Sequence, residues 1–265
     1  MVTSWLRELD DVLRGHKADP HLLASGTAHI SIGPLAVMSV LLGMIYGVCM
    51  GLYAMVTRMP PSGMQMIACA IKVPALFFLT LVVTFPSLYV FSALLGVRLN
   101  PKDTLRLILV PITVNLAVLA SLGTITAFFT VSTTSYHFMA LLNVLFFSVS
   151  GVIGLKVLLT ILSRLEEAQA AQVILGPIPS LADGGGHPGP PESTKPAAPP
   201  RPQDRTAARA TFRVWVVIYA LVGAQMGWIL RPFIGSPTLP FEWFRGRESN
   251  IFVAVVRTIG TLFGF

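Results

Sequence analysis

Residues 107–155 read LILVPITVNLAVLASLGTITAFFTVSTTSYHFMALLNVLFFSVSGVIGL, without a single Asp, Glu, Lys or Arg. A helix needs about 20 mostly apolar residues to cross the hydrocarbon layer of a bilayer. The stretch is therefore long enough for two crossings. The cluster Ser132-Thr133-Thr134-Ser135 near its middle suits a tight turn between them. Spans are expected at 105–131 and 136–163.

Charge is also missing from Pro20 to Thr57, from Val73 to Val97 and from Val214 to Leu230. These stretches predict spans at 34–57, 73–97 and 212–230. Only 12% of the 265 residues are charged, against roughly 25% in an ordinary soluble domain. Mean hydropathy is +0.72. The expected fold is all-α, a polytopic membrane protein with five transmembrane helices plus amphipathic helices at both ends. Four segments follow: a cytoplasmic N-terminal segment (1–33), a four-helix transmembrane domain (34–163), a cytoplasmic linker (164–211) and a fifth span with a C-terminal interfacial cap (212–265).

The ends carry the amphipathic pattern. Trp5, Leu6, Leu9, Val12 and Leu13 share one helical face, opposite Arg7, Asp10, Asp11 and Arg14. From about residue 250, Ile251, Phe252, Val255, Val256, Ile259, Leu262 and Phe263 are expected on one face with Arg257 opposite. About 15 residues are too few to cross comfortably, so an interfacial or re-entrant helix is expected. Between the fourth and fifth spans, residues 176–202 contain nine Pro and five Gly. No packed core forms from such a composition, and the segment reads as a tether.

The net charge of +7 belongs to the loops. With five spans, 12 Lys and Arg fall on the side of the N-terminus and the linker, and 6 on the side of the tail. Positive loops stay in the cytoplasm. The N-terminus and linker are expected inside, in a bacterial cytoplasmic (inner) membrane, with a sixth crossing by the tail as the rival topology. The partners expected are the lipid bilayer and other membrane proteins or a second copy of the chain. No basic stripe with interleaved aromatics points to nucleic acid.

Three sets of residues were candidates for function. Gly43, Gly47 and Gly51, and again Gly223 and Gly227, repeat every four residues, which lets helix backbones approach closely. The stripes serve packing within one bundle or self-association. Asn115, Asn143, Lys156 and Gln225 are the polar residues inside spans, forming either a polar path or interhelical hydrogen bonds with a snorkelling lysine. Arg231, Glu242, Trp243, Arg245, Arg247 and Glu248 pair charges beside aromatics in the tail, as a recognition surface or as an ion-paired cap. The chain contains no HExxH, GxSxG, GxGD or Walker motif. Glu166-Glu167 opens like the glutamate motif of CAAX-type intramembrane proteases, but Ala171 stands where their arginine falls. Cys49 and Cys69 read as buried thiols, and five scattered histidines make no ligand set. No catalytic residue, metal or cofactor is expected. A non-enzymatic membrane scaffold or assembly partner is favoured over a subunit of a transporter or channel.

The closely spaced spans, with TFPSLYVFSALLG at 84–96 and YHFMALLNVLFFSVSGVIGL at 136–155, resemble the Yip-type membrane proteins and their bacterial relatives. GAQMGWILRPFIGSP at 223–237 resembles the tail of a bacterial multi-pass family. The Yip resemblance implies five spans and a cytoplasmic N-terminus. In eukaryotes it implies Rab-linked vesicle traffic, but the eukaryotic family's DLYGP-type motif is missing here, so no functional residue is carried over.

Deleting part of 180–200 should leave the protein inserted and folded, because nothing there can pack. Membrane accumulation of the shortened chain, measured against the full chain, checks this; its loss would show that the segment does more than tether.

Overall fold

The computed structural model describes residues 32–57, 59, 61–94, 101–175, 202–235, 241–244 and 251–263. The predicted N-terminal amphipathic helix and residues 176–201 of the predicted linker lie outside them, whereas the two ends of that linker, 164–175 and 202–211, are helical. Among the described residues the fold is all-helical: α1 (Ile32–Thr57), α2 (Gly63–Leu94), α3 (Pro101–Ser132), α4 (Tyr136–Leu175), α5 (Pro202–Ile229) and α6 (Ile251–Phe263). Four stretches are long and apolar enough to cross a membrane: Ile32–Thr57, Gly63–Ser87, Ile108–Ser132 and Tyr136–Ile161. The chain is membrane-embedded.

The second of these departs from the charge-free window at 73–97. α2 starts ten residues earlier, and Lys72 is inside the helix rather than in a loop. The window misplaced the span because it treats every charge as a boundary, whereas this ammonium is solvated by protein. Pro74, expected at a span start, is likewise in the helix interior with Pro86, and Pro111 lies within α3.

The turns follow local chemistry. Pro61 and Ser62 separate α1 from α2, and the Gln65 N–H donates to the Ser62 carbonyl at 3.2 Å. Between α3 and α4 only 133–135 are non-helical. Ser135 caps α4: its hydroxyl accepts from the Phe138 N–H at 3.4 Å and its carbonyl from the Met139 N–H at 3.1 Å.

α1 packs against both α2 and α3, α3 against α4, and α5 against α2. Tyr46 and Tyr53 of α1, Leu116 and Leu119 of α3, and Met139 of α4 are completely buried. Outward positions stay apolar, as at Ile45, Val82, Phe128 and Leu145. Acyl chains solvate such a surface as well as protein does, so close packing and hydrogen bonds must hold the helices together. Polar pins supply part of this: the Ser39 and Thr113 hydroxyls meet at 2.8 Å between α1 and α3, and the Tyr46 hydroxyl donates to Asn143 Oδ1 at 2.7 Å between α1 and α4.

Small residues supply the rest. A Cβ on Gly47 would come 2.5 Å from the Cys69 carbonyl oxygen, and one on Gly51 would come 2.6 Å from Met66 Cα. Gly43 faces the ring of Pro74. The first glycine stripe is thus filled by the chain's own α2. Gly223 faces Thr80 and Gly227 faces Leu76, so α5 runs antiparallel to α2, but at ordinary van der Waals separation.

Gly47→Ala should therefore force two backbones apart and cost about 1–3 kcal/mol. Gly227→Ala, whose new methyl meets nothing closer than 3.9 Å, should cost under about 0.5 kcal/mol. Thermal unfolding in mild detergent separates the two, with only the first lowering the midpoint by several degrees.

Candidate functional site

One end of the bundle collects three chain segments. The α1–α2 connection is there, and the Tyr53 hydroxyl brings in the α3–α4 turn by donating to the Thr134 carbonyl at 2.7 Å. The third segment is the tail that leaves α5. The Leu230 N–H closes α5 on the Met226 carbonyl at 3.0 Å, and Pro232, which has no N–H to give, ends the helical pattern. The Arg231–Pro232 peptide is cis. Gly235 has φ +78°, a left-handed conformation, and a Cβ there would lie 2.9 Å from Gln65 Cδ. Only glycine suits both the conformation and the space.

The tail is held by a ladder of donors on α2. Gln65, Cys69 and Lys72 are spaced i, i+4, i+7, which puts them on one helical face. All three are buried, with exposures of 1%, 0% and 2%. Gln65 Nε2 donates to the Phe233 carbonyl at 2.7 Å and to the Pro232 carbonyl at 3.2 Å. The Cys69 thiol donates to the Phe233 carbonyl. Lys72 Nζ donates to the Pro232 carbonyl at 3.0 Å and to the Trp243 carbonyl, and sits 5.2 Å from the centre of the Phe244 ring. Among the described residues no carboxylate pairs with Lys72. Carbonyl dipoles and a ring face take the place of a counter-ion.

Below the ladder the Phe233 ring turns inward to Phe147, 6.5 Å between centres. Phe147 in turn meets Tyr46 edge-on at 5.6 Å and stacks with Phe77 at 6.2 Å. Rings from three helices, α1, α2 and α4, therefore end on a side chain of the tail. Ile234 is buried in the same core.

Of the tail residues singled out from sequence, Arg231 is half-buried with its guanidinium 3.9 Å from the centre of the Trp228 ring. Glu242 and Trp243 are exposed at the surface. Arg245, Arg247 and Glu248 lie outside the described residues. The four span polar residues have separate surroundings. Asn143 is buried between Tyr46 and its own helix, its Nδ2 donating to the Met139 carbonyl at 2.8 Å. Asn115 packs against Gly154, where a Cβ would lie 3.0 Å from Asn115 Cβ. Gln225 is half-buried on α5, and Lys156 is exposed on α4. No hydrogen bond links any two of the four among the described residues.

From sequence, Lys72 is expected in the loop before the second span, and Gln65 has no expected role. The signal was present as three hydrogen-bond donors at i, i+4, i+7 at the start of an apolar helix. The arrangement can grip peptide backbone. Among the described residues no group of three His, Cys, Asp or Glu side chains could hold a metal ion.

Compared with protein-family models, curated proteins and solved structures, the chain matches none.

Lys72→Met keeps the length and apolar stem but takes the donor from the Trp243 carbonyl and leaves the Pro232 carbonyl with Gln65 alone. A buried unmet partner costs about 1–3 kcal/mol, so the tail should open roughly 5- to 150-fold more often. Chymotrypsin cleavage after Trp243, whose carbonyl Lys72 holds, followed by mass spectrometry in detergent, should accelerate accordingly, while Lys156→Met leaves the rate unchanged.

Proposed function

We propose that this chain is a non-enzymatic integral membrane scaffold that assembles with other membrane proteins. In this reading it crosses the membrane five times, with the N-terminus and the Pro/Gly-rich linker in the cytoplasm of a bacterial cell. The observation that carries the scaffold reading is how its interior polar groups are used. Tyr46 and Asn143, Ser39 and Thr113, and the Gln65–Cys69–Lys72 ladder all bond within the bundle. A bundle tied in this way is built for a fixed shape. It offers a rigid end, with Trp243 and Phe244 outward.

The fifth crossing is supported by the path of α5. Its contacts at Gly223 and Gly227 follow α2 through the apolar layer, and it delivers the tail to the end where α2 begins. The Yip-type resemblance agrees with this count. With five crossings and Lys72 inside α2, 12 Lys and Arg on the linker side against 5 on the tail side favour a tail outside. The rival reading, a subunit of a transporter or channel, needs Asn115, Asn143, Lys156 and Gln225 to share water.

Single cysteines at these four positions, in the full chain with Cys49→Ser, separate the readings. A membrane-impermeant thiol reagent should leave positions 115 and 143 unmodified from either side of the membrane. Cysteine at 185 should react only from the cytoplasm and at 133 only from outside. Rapid modification at 115, 143 and 225 together would establish a hydrated path and replace the scaffold by a transporter. Modification at 133 from the cytoplasm would overturn the five-span topology.

A further inference from the structure

α6 is a helix with three different sides. It packs on α4 and, less extensively, on α5. At 13 residues it is roughly 20 Å long, too short for a hydrocarbon layer of about 30 Å. Ala254, Val255 and Thr258 are half-buried toward the bundle. Phe252, Val253, Val256 and Ile259 are exposed by 53%, 47%, 69% and 42%. On a helical wheel they span an arc of about 120°, and Arg257 and Thr261, also exposed, follow on the next arc before the bundle side returns. Sequence reasoning put Val255 with the apolar face and Arg257 opposite it. In the structure Val255 turns toward the protein, and Arg257 flanks the apolar arc.

Water is a poor medium for that outward arc, and the neighbouring surface indicates a better one. α4, on which α6 rests, exposes Leu145, Val149 and Val152 on its membrane-crossing stretch. The hydroxyls of Thr258 and Thr261 donate to the Ala254 and Arg257 carbonyls at 2.8 and 2.9 Å, so neither requires water. Lys72 grips the Trp243 carbonyl at the tail's end of the bundle, eight residues of chain before α6 begins.

We propose that α6 lies flat in the headgroup boundary of the leaflet nearest the tail, as a wing of the bundle whose partner is the lipid bilayer itself. Phe252, Val253, Val256 and Ile259 contact the first methylenes of the acyl chains. Arg257 reaches the lipid phosphates, and the Ala254–Val255–Thr258 side rests on α4. A flat helix presents three media to three sides, protein, hydrocarbon and headgroups, which matches its three arcs. A helix plunging beside α4 would carry Arg257 into the hydrocarbon.

The full chain with Cys49→Ser, reconstituted in vesicles of phosphatidylcholine and phosphatidylglycerol, tests this independently of the scaffold reading. Nitroxides are attached to single cysteines at 252, 256, 257 and 259, and their collisions with oxygen and with a water-soluble nickel chelate are compared. Labels at 252, 256 and 259 should favour oxygen several-fold over nickel and report one shared shallow depth, while the label at 257 favours nickel. A depth that increases steadily from 252 to 259 would mean a re-entrant or crossing helix and overturn the proposal. So would nickel access at all four sites, or protection from both reagents, the sign of a covering protein such as a second copy. A photo-cross-linking residue at Val256 in the otherwise unaltered chain gives a second reading. Lipid adducts are expected, and protein adducts would overturn the proposal.

Discussion

The close approach of α1 and α2 sets the positions of everything else in the bundle. At Gly47 the two backbones are separated by less than a methyl group would require, and Gly51 and Gly43 continue the contact along the helix. Because α1 also packs along α3, this contact fixes one side of the central helix while α3 occupies another. It also fixes the rotation of α2. With Ala70 and Met66 against the glycines, the face bearing Gln65, Cys69 and Lys72 is directed away from α1 toward the tail. The glycine stripe and the donor ladder are thus two sides of one helix, and the second has its place because of the first.

Lipid explains why polar side chains occur inside a chain with so few charges. The hydrophobic effect does not distinguish acyl chains from leucine, so specificity must come from shape and from polar groups that have no water to turn to. Tyr46 with Asn143 and Ser39 with Thr113 tie α1 to α4 and to α3 at fixed heights, which sets the vertical register of the helices. Phe147 then fills the space among Tyr46, Phe77 and Phe233. Lys72 is the extreme case. An isolated ammonium in that position would cost several kcal/mol, and the compensation comes from peptide carbonyls delivered by residues far along the chain.

Much of this was legible in the sequence where the signal is local. The Ser132–Ser135 cluster marks a turn because short hydroxyl side chains cap helices, and Ser135 does so here. Four of the five expected spans coincide with helices long and apolar enough to cross a membrane, whereas the fifth, 212–230, meets a shorter apolar stretch, Val216–Ile229. Gly43, Gly47 and Gly51 were recognisable as a packing face, though not its partner, since spacing on one helix says nothing about which helix fills it. Lys72 was misplaced for a physical reason. Charge marks the edge of a span only when water must solvate it, and a pattern read along one segment cannot see carbonyls supplied by residues 232 and 243. The orientation of α6 was hidden similarly, because periodicity sorts apolar from polar but does not separate a face covered by protein from one covered by lipid.

The ladder also resolves how α5 keeps its place. It follows a long connection from α4, and closing a long loop has an entropic cost that its contacts must offset. Its glycines meet α2 at 3.7 and 3.9 Å, without the interlocking seen between α1 and α2. Packing of that kind lets a helix slide or rotate in lipid. The bonds from Gln65, Cys69 and Lys72 to the tail act at the far end of α5 and fix it in height and rotation together. They are made to main-chain oxygens, so they do not dictate the tail's side chains, apart from Phe233 and Ile234, which enter the core, and Gly235, which must be small. Trp243 can therefore give its carbonyl to Lys72 while its ring faces outward. The tail is thus anchored largely through its backbone, and the Trp243 ring is turned to the surroundings of the bundle.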